Sequence, residues 1–202
     1  SERTLCELLS ISRVTARKAI DVLCERGMLT RRHGSGTYIT PKLEQPLSRL
    51  SGFSEELSLR GFAAGSRWLE RSSGVAQPSE LLALGLSPNT PVARLKRLRT
   101  ADNVVMAIEY SVIPSIHMPD PRAVDDSLYG YLEARGATPV RALQHIKAIN
   151  ASEEQARLAG LEPGAAMLHI TRVSYLESGA PVELTHSYCR SDSYEFVAES
   201  RR

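Results

Sequence analysis

Two stretches of this chain repeat one another, and that repeat constrains the fold more than any other feature. Residues 79–114 and 152–190 each open with a serine-initiated helical run, break at a Gly-Leu-x-Pro turn, and continue as a strand, a turn and a returning strand. Gly85-Leu86 and Pro88 match Gly160-Leu161 and Pro163, and Arg97 matches Arg172 at the same offset. Ala101-Asp102-Asn103 and Glu177-Ser178-Gly179 read as hairpin turns, because Asn, Asp and Gly tolerate the left-handed backbone that such turns require. Between the copies, residues 127–136 read as a helix with Ser127 as N-cap and residues 139–149 as a strand. Two helix-plus-hairpin halves predict an α+β unit, an antiparallel sheet with helices against one face.

Ahead of the repeat the chain changes character. In residues 10–36, Ser12 is placed to cap a helix in which Val14, Ile20 and Leu23, with Ala16 and Ala19, form an apolar stripe. Arg13, Thr15, Arg17 and Lys18 fall on the opposite face, where a recognition helix presents side chains to the major groove. Gly27 is expected to stop the helix. Residues 28–32 and 37–40 then read as two β segments joined by His33-Gly34-Ser35-Gly36, a tip small enough for close backbone approach, with Arg31, Arg32 and His33 as donors beside it. Charge agrees with this reading. Residues 1–42 hold eight Lys/Arg against four Asp/Glu, whereas the remainder holds seventeen against nineteen, so cationic charge gathers where phosphate contact is expected. After the wing, Pro41 to Pro46 reads as an interdomain linker, and residues 47–61 as a helix capped by Ser51 or Ser54 and ended by Gly61.

The run from Ser1-Glu2-Arg3 through Ser12-Arg13-x-Thr15-x-Arg17 to Gly34-Ser35-Gly36-Thr37 closely resembles the winged helix-turn-helix of GntR-type transcription regulators. The resemblance implies DNA-facing roles for Arg3, Ser12, Arg13, Thr15 and Arg17, with His33 and Gly34 at the wing tip. It also implies a first helix ahead of Ser1 that is missing from the numbered chain. Residues 45–200 resemble the ligand-sensing domain of the HutC branch, which has a chorismate-lyase-like fold. The matching residues are Arg97-Leu98-Arg99, Ala107-Ile108-Glu109, Ser127-Leu128-Tyr129, Gly179 to Glu183, and Arg190 to Phe196. The expected organisation is a winged helix-turn-helix over 1–42, a linker over 43–50, and an effector-binding and dimerisation domain over 51–202. The implied protein is a cytoplasmic homodimer, usually a repressor in this family, that binds a double-stranded operator without a cofactor.

Strand alternation places Leu95, Arg97 and Arg99 on one face, and Ala107 and Glu109 on one face of the returning strand. Arginines so spaced beside carboxylates are either a solvated ladder of ion pairs or a bidentate grip on phosphate or carboxylate. Regulators of the family that sense amino-sugar phosphates use the equivalents of Arg97, Arg99, Ser127, Tyr129 and Glu183, with a helix start near Ser51, Gly52, Phe53 and Ser54. The resemblance therefore implies glucosamine-6-phosphate or N-acetylglucosamine-6-phosphate as effector, with Glu109 and Glu183 available to sugar hydroxyls or an amine. Those regulators carry Tyr at the position aligned with Cys189, whereas this chain has Tyr188 alongside. The tail from Cys189 to Glu199 most resembles N-acetylglucosamine-utilisation regulators. Urocanate, a phosphonate-pathway metabolite or a fatty acid are the other ligands the branch offers, and a lyase-like enzyme is the other activity. The sequence supplies no nucleophile–base constellation for the latter, and no catalytic residue is assigned. Cys6, Cys24 and Cys189 lack metal-ligand spacing and read as buried small hydrophobes of a reducing compartment. His117, His145, His169 and His186 are scattered, so no metal site is expected. No apolar run approaches the ~18 residues of a membrane span.

Overall fold

The structure, a computed structural model, describes residues 2–25, 29–32, 36–39, 43–46 and 49–199. Helix α1 (Glu2–Leu9) turns through Ser10, at φ +52°, into helix α2 (Arg13–Glu25), and strands β1 (Leu29–Arg32) and β2 (Gly36–Ile39) pair antiparallel behind it. Ser12 caps α2, its hydroxyl accepting the Thr15 N–H at 3.1 Å. Ala16 and Ile20 are buried and Leu23 half-buried, which gives the inward stripe at the expected spacing. Val14 and Ala19 leave that stripe. Val14 is 78% exposed, since two residues carry a side chain roughly 200° around a 3.6-residue turn from Ala16. The helix stop at Gly27, the wing tip His33, Gly34 and Ser35, and the side chain of Arg3 lie outside the described residues. Gly36 opens β2 at φ +120°, a conformation that favours glycine.

Residues 43–46, expected as linker, form strand β3 (Leu43–Pro46) instead. It pairs parallel with strand β10 (Tyr194–Val197), with Leu43 opposite Tyr194. The two bounding prolines signal a break, but nothing local reveals a partner so distant in sequence. Helix α3 (Phe53–Leu59) is shorter than expected and starts at an N-cap Gly52 that makes no side-chain cap bond. The Ser51 hydroxyl donates to the Glu56 carboxylate rather than capping, and Gly61 ends the segment at φ +76°.

The rest of the chain adds strand β4 (Ala64–Val75), helix α4 (Pro78–Leu84), strands β5 (Pro91–Ala101) and β6 (Val104–Pro114), and helix α5 (Leu128–Ala134). Strand β7 (Arg141–Asn150), helix α6 (Glu153–Ala159), and strands β8 (Ala166–Tyr175) and β9 (Pro181–Arg190) follow. Six strands form one antiparallel sheet in the order β4-β5-β6-β9-β8-β7. The repeat is therefore strand-helix-strand-strand, and its copies meet about a pseudo-two-fold axis between β6 and β9. Gly85 and Gly160 close α4 and α6 in matching left-handed caps, at φ +59° and +68°. Ser152 caps α6 through Gln155, whereas α4 starts one step before Ser79: its N-cap is Gln77, whose N–H reaches Glu80 at 2.7 Å.

Helices cover both faces of the sheet, not one. Leu84 of α4 packs with Val92, Val112 and Leu184, and Ala156 and Ala159 of α6 pack with Leu98 and Ile108. On the opposite face, Leu128 and Leu132 of α5 pack with Leu95 and Ala93, and Leu57 of α3 packs with Ala107 and Cys189. Central strands carry apolar residues in both alternation classes, and each fully buried aliphatic side chain contributes ~1.5–3 kcal/mol, so neither face tolerates solvent. The repeat's own helices take one face. The helices outside the repeat take the other, and the candidate site forms beneath them.

Candidate functional site

Beneath α3 and α5, Arg97 and Arg99 of β5, Glu109 of β6, Arg172 of β8, and Glu183 and Thr185 of β9 converge on a cavity of about 30 Å³. Gly52, Phe53 and Ser54 at the start of α3 and Ser127, Leu128 and Tyr129 at the start of α5 form its roof. Of the residues expected at an effector site, all but Ser51 line this cavity. Arg172 and Thr185 were not expected there, although the match of Arg97 to Arg172 in the repeat is a signal that could have found the first.

Arg99 is the centre of the arrangement and is 1% exposed. Its guanidinium donates to the Asp126 carbonyl at 2.9 Å, to Ser54 Oγ at 2.8 Å and to the Ser66 hydroxyl, and it lies 4.4 Å above the Phe53 ring. One arginine thus ties β4, the start of α3 and the approach to α5 together. Its Nε finds no hydrogen-bond partner among the described residues and lies 3.7 Å from Glu109 Oε2. Burial pushes the Arg99 guanidinium down to about 10, with Glu109 opposing, so it stays charged at neutral pH. Arg97 donates from Nε to Glu109 Oε2 at 2.8 Å and lies over the Trp68 ring at 5.2 Å, which gives that tryptophan a role in holding the arginine. Burial would raise the Glu109 carboxyl, but Arg97 and Arg99 outweigh it and leave the group below its usual range.

The other half of the cavity is a hydroxyl chain. Tyr129 OH meets Ser174 Oγ at 3.0 Å, and Ser174 Oγ donates to Glu183 Oε2 at 2.7 Å. Thr185 donates to the second oxygen of Glu183 and shares a 2.7 Å bond with Ser111. Burial, then Glu183, raises the Tyr129 hydroxyl above its usual range, so it stays protonated and able to donate. The Ser127 hydroxyl accepts the Gly130 N–H at 3.0 Å as the expected N-cap. Both roofing helices span seven residues, so the arginines and hydroxyls supply the anion chemistry here.

Strand alternation separates Cys189 from Tyr188. Cys189 is buried on the cavity side, in a hollow that adjoins Glu109, Arg172 and Tyr194, and burial raises its thiol. Tyr188 points to the opposite face, where it stacks on His169 and meets Tyr110 edge-on, so it does not stand in for a tyrosine at position 189. The β8–β9 pairing also brings His169 Nε2 to 3.1 Å from His186 Nδ1, a proximity their sequence separation hides. That opposite face holds a larger cavity, about 470 Å³, lined by these aromatic groups. Its cations are already neutralised, Arg94 by Glu80 and Lys96 by Glu154, whereas the small cavity holds the three arginines Arg97, Arg99 and Arg172 against the two carboxylates of Glu109 and Glu183. Anion chemistry therefore points to the small one. No group of three or more His, Cys, Asp or Glu able to hold a metal lies among the described residues, and none of their helices is long and apolar enough to cross a membrane.

On α2, Arg13, Thr15, Arg17 and Lys18 are all exposed, and Val14 stands among them as an apolar neighbour that the stripe had claimed. Arg31 pairs with Asp21 at 2.5 Å, which braces the wing strand against the helix.

Comparison with known proteins agrees with both halves. Residues 1–39 match the model for bacterial regulatory proteins of the gntR family, and residues 59–195 match the UTRA domain. The chain is 35% identical to the HTH-type transcriptional repressor NagR of Bacillus subtilis, over 98% of this chain and 83% of that protein. It is 34% identical to the HTH-type transcriptional regulator GgaR of Escherichia coli, over 98% and 80%. The crystal structure of PhnF from Mycobacterium smegmatis superposes with a TM-score of 0.74 at 28% identity, covering all of this chain and 90% of that one.

Proposed function

This chain belongs to the GntR family of bacterial regulatory proteins and carries the UTRA domain of its HutC branch, and from that premise we propose an effector-controlled repressor. It acts as a homodimer on a double-stranded operator in the cytoplasm, without catalysis. Arg13, Thr15, Arg17 and Lys18 of α2 read base edges and phosphates, and Val14 is suited to a thymine methyl group. Arg3, Ser12 and the wing residues His33, Gly34, Ser35 and Gly36 complete that surface. The effector is a phosphorylated amino sugar, with its phosphate on Arg97, Arg99, Ser54 and Ser127, and its sugar towards Tyr129, Glu109 and Glu183.

The observation that carries this reading is Arg99, a buried cation whose hydrogen bonds go to a carbonyl and two hydroxyls, with its nearest carboxylate, Glu109, 3.7 Å from an Nε that has no hydrogen-bond partner among the described residues. A phosphate is a stronger acceptor than any of them. The cavity, at about 30 Å³, has the volume of roughly one water, whereas ligand pockets usually run to ~300 Å³ or more. An effector therefore enters only by moving the roof. Phe53, in that roof, stacks on Tyr194, the first residue of β10, and β10 pairs with β3, which leads to the DNA-binding head. Effector binding and head position are coupled because the ligand favours the arrangement with the roof displaced.

The test is a thermal-shift panel on the full chain with glucosamine-6-phosphate, N-acetylglucosamine-6-phosphate, the unphosphorylated sugars, urocanate and inorganic phosphate. A true effector at 100 times its Kd should add about 2.7 kcal/mol of stability. It should also release labelled operator in fluorescence anisotropy. A response to urocanate and not to the sugar phosphates would replace the amino-sugar assignment. Lengthening the chain between β2 and β3 by a Gly-Ser pair should leave effector affinity unchanged and weaken effector-driven release. Undiminished release would show that β3 is not the transmitting element.

A further inference from the structure

The pseudo-two-fold repeat places two arginines at equivalent positions, and only one of them has a carboxylate opposite. Arg97 faces Glu109 in the β5–β6 register and bonds it at 2.8 Å. Arg172, its counterpart on β8, faces Thr185 of β9 on one side and Gln144 of β7 on the other. Its guanidinium donates to Gln144 Oε1 at 3.2 and 3.0 Å and to Tyr129 OH at 3.5 Å, all neutral oxygens. The two acidic groups of the cavity make their hydrogen bonds elsewhere, Glu109 with Arg97 and Glu183 with Ser174 and Thr185, and act on Arg172 only through space. Arg172 nonetheless lines both the cavity and the hollow that runs past Glu109 towards Cys189 and Tyr194. A duplicated half has kept the cation and carries threonine where the other copy has its counter-charge.

We propose that Arg172 is a second recognition pole, donating to a carbonyl or carboxylate oxygen on the part of the effector remote from its phosphate and selecting against an ammonium group there. The inference rests on the assignment of the phosphate to Arg97 and Arg99. Of the three arginines of the cavity only Arg172 also lines the adjoining hollow towards Cys189 and Tyr194, so a single small anion held by Arg97 and Arg99 does not fill that hollow as well. An extended ligand with an acceptor at each end does. An ammonium set against the Arg172 guanidinium, on the side away from Glu109 and Glu183, meets a like charge in a partly buried site, where Coulomb repulsion is weakly screened. An acylated amino sugar fits this demand, and a free amino sugar does not.

The experiment is calorimetric titration of the full chain with four 6-phosphates: N-acetylglucosamine-6-phosphate (amide carbonyl), 6-phosphogluconate (carboxylate), glucosamine-6-phosphate (ammonium) and glucose-6-phosphate (neither). Urocanate serves as a carboxylate without phosphate. The wild type should favour the carbonyl or the carboxylate ligand over the ammonium ligand by about tenfold, and the two arms identify which oxygen is read. Arg172→Gln should erase that preference while glucose-6-phosphate binding stays within about threefold, and Arg172→Lys should retain part of it. Preference that survives Arg172→Gln, or an equal weakening of all four ligands, overturns the inference and leaves the phosphate site standing. Binding of urocanate alone, lost in Arg172→Gln, overturns the phosphate assignment and keeps Arg172 as the acceptor pole. Binding of none of the five overturns both.

Discussion

Arg99→Ala should abolish the effector response while leaving operator binding intact. Truncating a buried, hydrogen-bonded charge that meets a ligand costs ~2–5 kcal/mol, which corresponds to roughly a 30- to 4000-fold loss of affinity for a sugar phosphate. The substitution also removes the donor that joins Ser54 to the Asp126 carbonyl, so the roof loses its tie to the sheet. Arg99→Lys should not restore binding, because an ammonium cannot reproduce the forked donor geometry. Calorimetry reads the first loss and anisotropy on labelled operator reads the second. Effector affinity within a few-fold of wild type in Arg99→Ala would remove this cavity as the effector site.

Glu109→Gln should produce the largest loss of stability among the cavity variants. The carboxylate is the counter-charge of Arg97 at 2.8 Å and lies 3.7 Å from the Nε of Arg99. Breaking a buried pair from one side costs ~3–5 kcal/mol, since the cations stay behind. For a chain of this length that lowers Tm by roughly 6–20 °C. The pH dependence has a definite sign. The Glu109 carboxyl is depressed in the folded protein, so its stabilisation is complete above the unfolded value, about 4.3, and is lost as pH falls through the folded value. The wild type should lead the variant at neutral pH, and the gap should close in acid. A gap that stays constant down to pH 3 would show that the charge of Glu109 does not stabilise the fold. Bound phosphate brings negative charge to the same arginines, so a saturating effector should narrow the gap at pH 7.

Much of the site was legible because it is carried by strand alternation and short motifs. Arg97 and Arg99 two apart on β5, with Glu109 on the returning strand, share a face whatever the sheet packs against. Ser127 capping α5 is a local event, and the Gly-Leu-x-Pro turns with their left-handed glycines are equally local. Arg172 was visible as a repeat match, but its role needed the register, which sets it between Gln144 and Thr185. Tyr188 beside Cys189 looked like a shifted equivalent of a missing tyrosine. One residue along a strand reverses the face, and so it belongs to the other cavity.

Family resemblance supplied most residues of the small cavity, and the sequence by itself determined the two-part organisation, the basic face of α2 and the duplicated half-sheets. Each rests on periodicity, turn chemistry or motif, which act over a few residues. Only the tertiary structure decided that helices cover both faces and that β3 is a strand docked on β10. It alone closed the cavity to about 30 Å³ beneath α3 and α5, and left Arg172 facing neutral oxygens. Those outcomes depend on which distant segments meet, and pairing between segments far apart in the chain leaves no trace in local pattern.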